Sequence, residues 1–272
     1  MLIAQISDMH IKVEGKLAYG IVDTARMLKE CVANIMRLKP LPDAVMVTGD
    51  LVDYGHELEY ELLKELLAPL TMPLYLLAGN HDEREKLRKA FTGPRFDYLE
   101  QCDKFLQYTA DLGVLRLIVL DTVVPFEGCG RLCAERLKWL DERLSEDPRP
   151  TVVAMHHPPF ATGITYMDKI GLEGAAELEE IISRHPHIER IVCGHLHRSI
   201  QCRFGNTIAS TCPSTAHQVA MDLREDGPGC FVMEPPGYQL HLWRDGRLTT
   251  HTCVVGDYAG PYRFRENGVL ID

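Results

Sequence analysis

The chain has 272 residues, 46% hydrophobic and 25% charged. That balance excludes disorder and collagen-like repeats and predicts one large domain with at most a small appendage, able to bury roughly three-quarters of its surface without a structural metal or disulfide. Against 39 Asp and Glu stand 29 Lys and Arg, for a net charge of -10, which argues against nucleic-acid polymers and anionic membranes as partners.

Short apolar, β-branched runs alternate with amphipathic stretches along the first third. Leu2 to Ile6 reads as a strand. Asp23 reads as an N-cap, followed at helical spacing by Ala25, Leu28, Val32, Ile35 and Met36 and stopped before Pro40. Ala44 to Val47 is a second strand and Leu58 to Leu67 a second helix. Leu74 to Ala78 is a third strand, and Glu83 to Ala90 a charged helical segment. This order predicts a largely parallel sheet covered by helices.

From about Phe96 the pattern changes. Leu106 to Ala110 and Val114 to Leu120 flank Asp111-Leu112-Gly113, a hairpin turn. Leu132 to Leu144 reads as a helix, Thr151 to Met155 as a strand, Leu172 to Ile182 as a helix and Arg190 to Cys193 as a strand. Beyond Ser199 only short strand-like runs broken by Gly and Pro remain, such as Tyr238 to Trp243 and Thr249 to Val255. A second sheet or a small β appendage fits that tail.

None of the nine cysteines forms a C-x-x-C pair, so neither a zinc ribbon nor a thioredoxin-like site is expected. Cys129 and Cys133 have the spacing to meet on a helix, but no second pair accompanies them. The set reads as mostly buried thiols of a reducing compartment. Asp8 falls where a signal peptide's apolar run would continue, and no apolar stretch approaches the ~20 residues of a membrane span. The expectation is a soluble, cytoplasmic protein with no membrane partner.

Five motifs follow predicted strands: Asp8-Met9-His10, Gly49-Asp50-Leu51-Val52-Asp53, Gly79-Asn80-His81-Asp82, His156-His157 and Gly194-His195-Leu196-His197. In open α/β sheets ligands bind at the carboxyl ends of strands. Carboxylate, imidazole and amide oxygen are ligands for divalent metals. Residues two apart in an extended segment point the same way, so Asp8 with His10, and His195 with His197, can each grip one ion. Each motif alone is a chance-level signal; their conjunction in one order after five strands is not.

That order, D-x-H, G-D-x-x-D, G-N-H-[DE], H and G-H-x-H, resembles the calcineurin-like metallophosphoesterase superfamily over residues 8 to 197. The runs around Asn80, His156-His157-Pro158-Pro159, His217-Gln218-Val219 and Tyr258-Ala259-Gly260-Pro261 are similar to a narrower group, the bacterial class III cyclic-nucleotide phosphodiesterases and glycerophosphodiesterases. The resemblance implies an α/β fold, a two-sheet β-sandwich flanked by helices, with a catalytic core over 1–200. Residues 201–272 would supply the remaining strands and a small β-rich cap or subunit contact of a homo-oligomer.

It also implies a dinuclear site. Asp8, His10 and His197 would hold one metal, Asn80, His156 and His195 the other, and Asp50 would bridge. His81, with Asn80, would contact the phosphoryl group and assist the leaving oxygen. Asp53 stands where relatives resembling purple acid phosphatases carry a tyrosine, which implies two divalent ions (Mn2+, Fe2+, Co2+ or Zn2+), with Asp53 orienting a histidine ligand from behind. Two divalent ions, offset by the carboxylates of Asp8 and Asp50 and by a hydroxide, leave about one positive charge, matched to a phosphodiester monoanion. The expected reaction is in-line attack of a metal-bridging hydroxide on a small diester, a 3',5'-cyclic nucleotide or a glycerophosphodiester.

His217 lines the pocket only by family likeness, and Tyr19 either walls the cleft or is a surface or core aromatic. His157 should face away from His156 and serve structure. His56, His185, His187, His241 and His251 lack partner patterns and read as surface or packing residues. A nuclease of the same superfamily is disfavoured by the acidic charge. A phosphomonoesterase needs an extra cation for a dianion, for which Arg84 or Arg131 are the candidates. A non-catalytic scaffold should have lost a ligand or His81, and none is missing.

Overall fold

The computed structural model describes residues 1–267 and 269–271. Along the first hundred residues strands and helices alternate: β1 (Leu2–Ile6), α1 (Thr24–Met36), β2 (Ala44–Thr48), α2 (Glu57–Leu67), β3 (Leu74–Leu77), α3 (Arg84–Ala90) and α4 (Asp97–Glu100). Asp23 caps α1 by accepting the Arg26 N–H at 3.0 Å, and α1 buries Leu28, Cys31, Val32 and Ile35 at helical spacing. All five residues of β2 are buried, as a central parallel strand covered on both faces requires.

The middle of the chain contributes β4 (Tyr108–Asp111), β5 (Arg116–Val119), β6 (Gly130–Arg131), α5 (Ala134–Glu146), β7 (Thr151–Ala154), α6 (Thr165–Asp168), β8 (Leu172–Glu173), α7 (Ala175–Arg184) and β9 (Ile188–Cys193). β4 and β5 form the expected antiparallel hairpin. The helix expected from Leu172 starts later, because Leu172 and Glu173 pair with β6 instead. Cys129 and Cys133 share no helix: Cys133 precedes the first turn of α5 and Cys129 lies in the loop before it. All nine cysteines are free.

The remaining strands are β10 (Gln201–Phe204), β11 (Thr207–Thr211), β12 (Gln218–Val219), β13 (Phe231–Val232), β14 (Gly237–Arg244), β15 (Arg247–Val254), β16 (Arg265–Glu266) and β17 (Val269–Leu270). β12 pairs with β13 and β16 with β17 in small separate ribbons, and the other four are shared between two larger sheets. β14 and β15 extend the first, ordered β15-β14-β1-β2-β3, while β10 and β11 extend the second, ordered β10-β11-β9-β7-β5-β4. The second sheet is parallel at the centre and antiparallel at both flanks, while the first is parallel from β1 to β3 and antiparallel on the β14-β15 side.

Alternation along the second sheet assigns its two faces. Leu117, Val119, Val152, Ala154 and Val192 join the core shared with Ile3, Val45 and Val47 of the first sheet. Ile118, Val153, Ile191 and Cys193 instead meet Leu137, Leu140 and Leu144 of α5 and Leu178 and Ile182 of α7. The layers are therefore helix, sheet, sheet, helix, the expected class. Among the described residues no helix is long and apolar enough to cross a membrane.

Candidate metal centre

The turns leaving β1, β2, β3, β7 and β9 meet at one end of the sandwich, and each carries one of the five motifs. Close approach dictates the glycines. A Cβ on Gly79 would overlap the Asp50 carboxylate, and one on Gly49 would stand 2.8 Å from Cγ of His156. Five side chains of the cluster sit on left-handed backbone: Asp8 (φ 53°), His10 (45°), Asp50 (47°), His195 (69°) and His197 (50°). Such positions cost of order 1–3 kcal/mol each and persist only where the surroundings over-determine them.

Seven of the predicted ligands converge. His10 Nε2 is 3.1 Å from His197 Nε2 and 3.6 Å from Asp50 Oδ2, and His197 Nε2 is 3.5 Å from Asp8 Oδ1. On the other side of Asp50, whose Oδ2 lies 3.3 Å from His156 Nε2, Asn80 Oδ1 is 3.1 Å from both His156 Nε2 and His195 Nδ1. Asp50 thus stands between two groups of three, and the cluster suits two metal ions.

The remote ring nitrogens decide the tautomers. His197 Nδ1 donates to the His217 carbonyl at 3.0 Å, His156 Nδ1 to the Thr48 carbonyl at 2.9 Å and His195 Nε2 to the Ile170 carbonyl at 3.1 Å. His10 Nδ1 faces Asp53 Oδ1 at 3.4 Å. With those protons placed outside, the inner nitrogens present lone pairs to the centre. His10 and His197 bring their Nε2 atoms to 3.1 Å, where they can share one proton between them or be bridged by a cation, so the donor set fits metal ions.

The electrostatics agree. Burial raises Asp8 to about 6, although His156 opposes it. Burial also works against ionised Asp50, yet His156, His81 and His10 hold it well below the usual carboxylate range. Burial depresses His156, but Asp50 and Asp8 outweigh it and push the imidazole up to about 9; what attracts that proton would attract a metal. Burial holds His197 down to about 3 and His195 well below its ordinary value, so both are neutral donors.

Asp53 sits behind His10, its carboxylate 2.6 Å from Lys12 Nζ, and its carbonyl accepts His81 Nδ1–H at 2.8 Å. That leaves Nε2 of His81 to face the cavity. His217 packs 4.7 Å from His197 and 5.5 Å from His10 between ring centroids, and its buried Nδ1 has no hydrogen-bond partner among the described residues. Tyr19 is 58% exposed and lies edge-on to His217 at 5.2 Å, so it walls the cavity.

Other histidines are accounted for. His157 lies close to His156 and His195, but its Nδ1 bonds to the Thr122 hydroxyl at 2.8 Å and its Nε2 to the Gly128 carbonyl at 3.1 Å. Both nitrogens are spent and the ring supports His195 from 4.5 Å. His241 is buried in the first sheet, His185 pairs with Asp141 at 2.7 Å, half-buried His187 packs 5.5 Å from the His185 ring, and His56 and His251 are exposed.

Neither candidate arginine reaches the centre. Arg84 is clamped to Asp121 through bonds of 2.6 and 2.8 Å, and Arg131 pairs with Glu173. Sequence reasoning missed the cavity walls formed by Tyr166, Met167, Ile170, Gly229, Cys230 and Phe231, which come from loops with no motif. It also assigned nothing to Asp82, although its place in the third motif was the signal.

The family model described as calcineurin-like phosphoesterase matches residues 1–199. A probable glycerophosphodiester phosphodiesterase of Arcobacter nitrofigilis is 40% identical, covering 100% of both chains. A 3',5'-cyclic adenosine monophosphate phosphodiesterase of Pseudomonas aeruginosa is 33% identical, covering 94% of this chain and 91% of its own. In fold, the chain resembles a dimetal phosphatase of Danio rerio with a TM-score of 0.67 at 14% identity, over 94% of this chain and 99% of the other.

Proposed function

This chain belongs to the calcineurin-like phosphoesterase family, and from that premise we propose that it is a dinuclear metal-dependent hydrolase of small phosphodiesters. The substrates are glycerophosphodiesters or 3',5'-cyclic nucleotides, the classes named in its full-length relatives. Carrying the reading is the pair of inward-facing nitrogens on His10 and His197, 3.1 Å apart beside Asp50, which calls for a cation at the end of a cavity.

Asp8, His10 and His197 would hold one divalent ion, Asn80, His156 and His195 a second, with Asp50 between. Mn2+, Fe2+, Co2+ and Zn2+ suit this set of carboxylate, amide and imidazole donors. When bound, such a pair supplies Lewis acidity and a water of lowered pKa. The chain's own residues do the rest. Asp53 and Lys12 fix the His10 ring, and the His217 carbonyl fixes His197. His81, anchored through Nδ1 to the Asp53 carbonyl, presents Nε2 as the atom that holds a proton for the departing alkoxide. Asn80 and His217 orient the phosphoryl group, and Tyr19 borders the substituent.

The clamped arginines favour a diester monoanion over a monoester dianion, since neither is free to neutralise a second charge. The free cysteines fit a reducing, cytoplasmic setting. Exposed Tyr258, Tyr262 and Phe264 in the 201–272 segment fit contact with another copy in a homo-oligomer, which sedimentation velocity would detect. The catalytic reading is tested by kcat/KM on a matched aryl phosphodiester and phosphomonoester, using chelated protein with and without Mn2+. Metal-dependent preference for the diester is expected; preference for the monoester would overturn it.

A further inference from the structure

Asn80 and His81, at the edge of the metal cluster, border two cavities of different character. The inner one encloses about 240 Å³ and is walled by Tyr19, Tyr166, Gly229 and Phe231. The outer one, about 790 Å³, is a trough between Tyr54 and Phe126, with Phe126 fully exposed on its lip. Asn80 and His81 line both. A phosphodiester held at these two residues therefore has one compartment on each side for its two substituents. The trough has the size of ordinary ligand pockets, roughly 300–1,000 Å³, and the inner cavity falls below it.

What keeps the inner cavity small is a crossing of two loops. Tyr166 lies flat on Gly229: a Cβ there would stand 2.5 and 2.6 Å from the two Cε atoms of the ring. Only glycine lets the ring settle so low. The tyrosine's own segment is rigid, because the Asp168 carboxylate accepts the N–H and hydroxyl of Thr162 at 2.8 and 2.9 Å and the Gly163 N–H at 2.9 Å. The crossing roofs the inner cavity.

Building on the phosphodiesterase reading above, we infer that Tyr166 seated on Gly229 is a specificity determinant that confines the non-leaving substituent to a small group, while the trough takes a large leaving group. The preferred substrates are then acyclic diesters with one compact arm. A 3',5'-cyclic nucleotide, whose two ester oxygens belong to one ribose, has no second arm to place across the divide.

The test compares methyl p-nitrophenyl phosphate with bis(p-nitrophenyl) phosphate on the metal-loaded enzyme. Both release p-nitrophenol as water adds to phosphorus and the aryl P–O bond breaks, so only the arm left behind differs. In Tyr166→Ala the kcat/KM ratio of the bis-aryl to the methyl probe is expected to rise tenfold or more over wild type, with Tyr166→Phe keeping the wild-type ratio. Gly229→Ala, which lifts the ring from its seat, should shift the ratio in the same direction and guards against a local collapse peculiar to the first variant. An unchanged ratio in both Ala variants, with both probes hydrolysed, would overturn the proposal and leave the phosphodiesterase reading standing. Hydrolysis of neither probe by wild type would overturn that reading, and the proposal with it.

Discussion

Asp82 accepts the backbone N–H of Leu51 at 3.1 Å, and so ties the turn bearing Asn80 to the turn bearing Asp50. The same carboxylate accepts the Gly79 N–H at 2.8 Å and the Tyr60 hydroxyl at 3.1 Å. It touches no inward nitrogen of the cluster, yet it sets the spacing between two of its members.

Asp82→Ala should therefore weaken metal binding about 10- to 100-fold and destabilise the fold by about 1–3 kcal/mol, since two buried N–H groups lose their acceptor. Competition against a chromophoric chelator measures the first and urea unfolding the second. Asp82→Asn, which keeps an acceptor oxygen, should recover most of the loss. Unaltered affinity in the alanine variant would remove Asp82 from the site's support.

Asp50→Ala should abolish tight binding of both ions, because its carboxylate serves both groups of ligands. Metal content after gel filtration is the readout. Two retained equivalents together with full turnover would show the dinuclear assignment to be wrong.

His81 contributes differently. His81→Ala should leave metal content intact and lower turnover by ~10²–10⁴-fold, the range of a positioned acid or base. The comparison needs conditions in which chemistry limits the rate. Equal rates there would exclude a proton held on Nε2 from the mechanism.

His241 offers a test of stability against pH away from the centre. It is 1% exposed and bonds to Gln5 Oε1 at 3.0 Å and the Thr250 hydroxyl at 2.9 Å. Burial, helped by Arg190, holds it down to about 3. An unfolded histidine titrates near 6.5, so below that pH the unfolded chain takes up a proton that the folded one refuses. Stability from this residue is full above about 6.5 and falls towards about 3, by about 1.4 kcal/mol per pH unit. In chelator, wild type should lose roughly 2 kcal/mol more than His241→Gln between pH 7 and pH 5. Identical losses would refute the assignment.

Much of this was legible in the sequence because the signals are local. β1 and β2 are short β-branched runs with a motif at each carboxyl end, and the Asp23 cap announces α1. What stayed hidden depends on distant closure. No local pattern shows that Asp8, His10, Asp50, His195 and His197 adopt left-handed backbone, since that conformation is imposed only when both sheets meet. Arg84 looked available because its partner, Asp121, lies 37 positions away. β10 and β11 were obscured by a Gly205 turn, by the exposed Gln201 and Arg203 of β10, and by an inverted pattern in β11, where Ser210 and Thr211 are buried and Ile208 is exposed. The roof over the inner cavity, Tyr166 on Gly229, joins loops that carry no chemical signature.

The place of β1 bears on how the protein is made. β1 lies in the interior of its sheet, with Leu2 opposite Leu242 of β14, so β1 waits for a strand that is made much later. As the chain leaves the ribosome, β1, β2 and β3 can associate early, but one side of β1 keeps an open edge until β14 emerges. Until residue 197 has been made, Asp8, His10, Asp50 and Asn80 are present without His195 and His197, an incomplete set for either ion. Metal capture is therefore a late event in biogenesis, and a chain truncated before residue 237 should be found with chaperones or aggregated, its exposed strand edge unprotected.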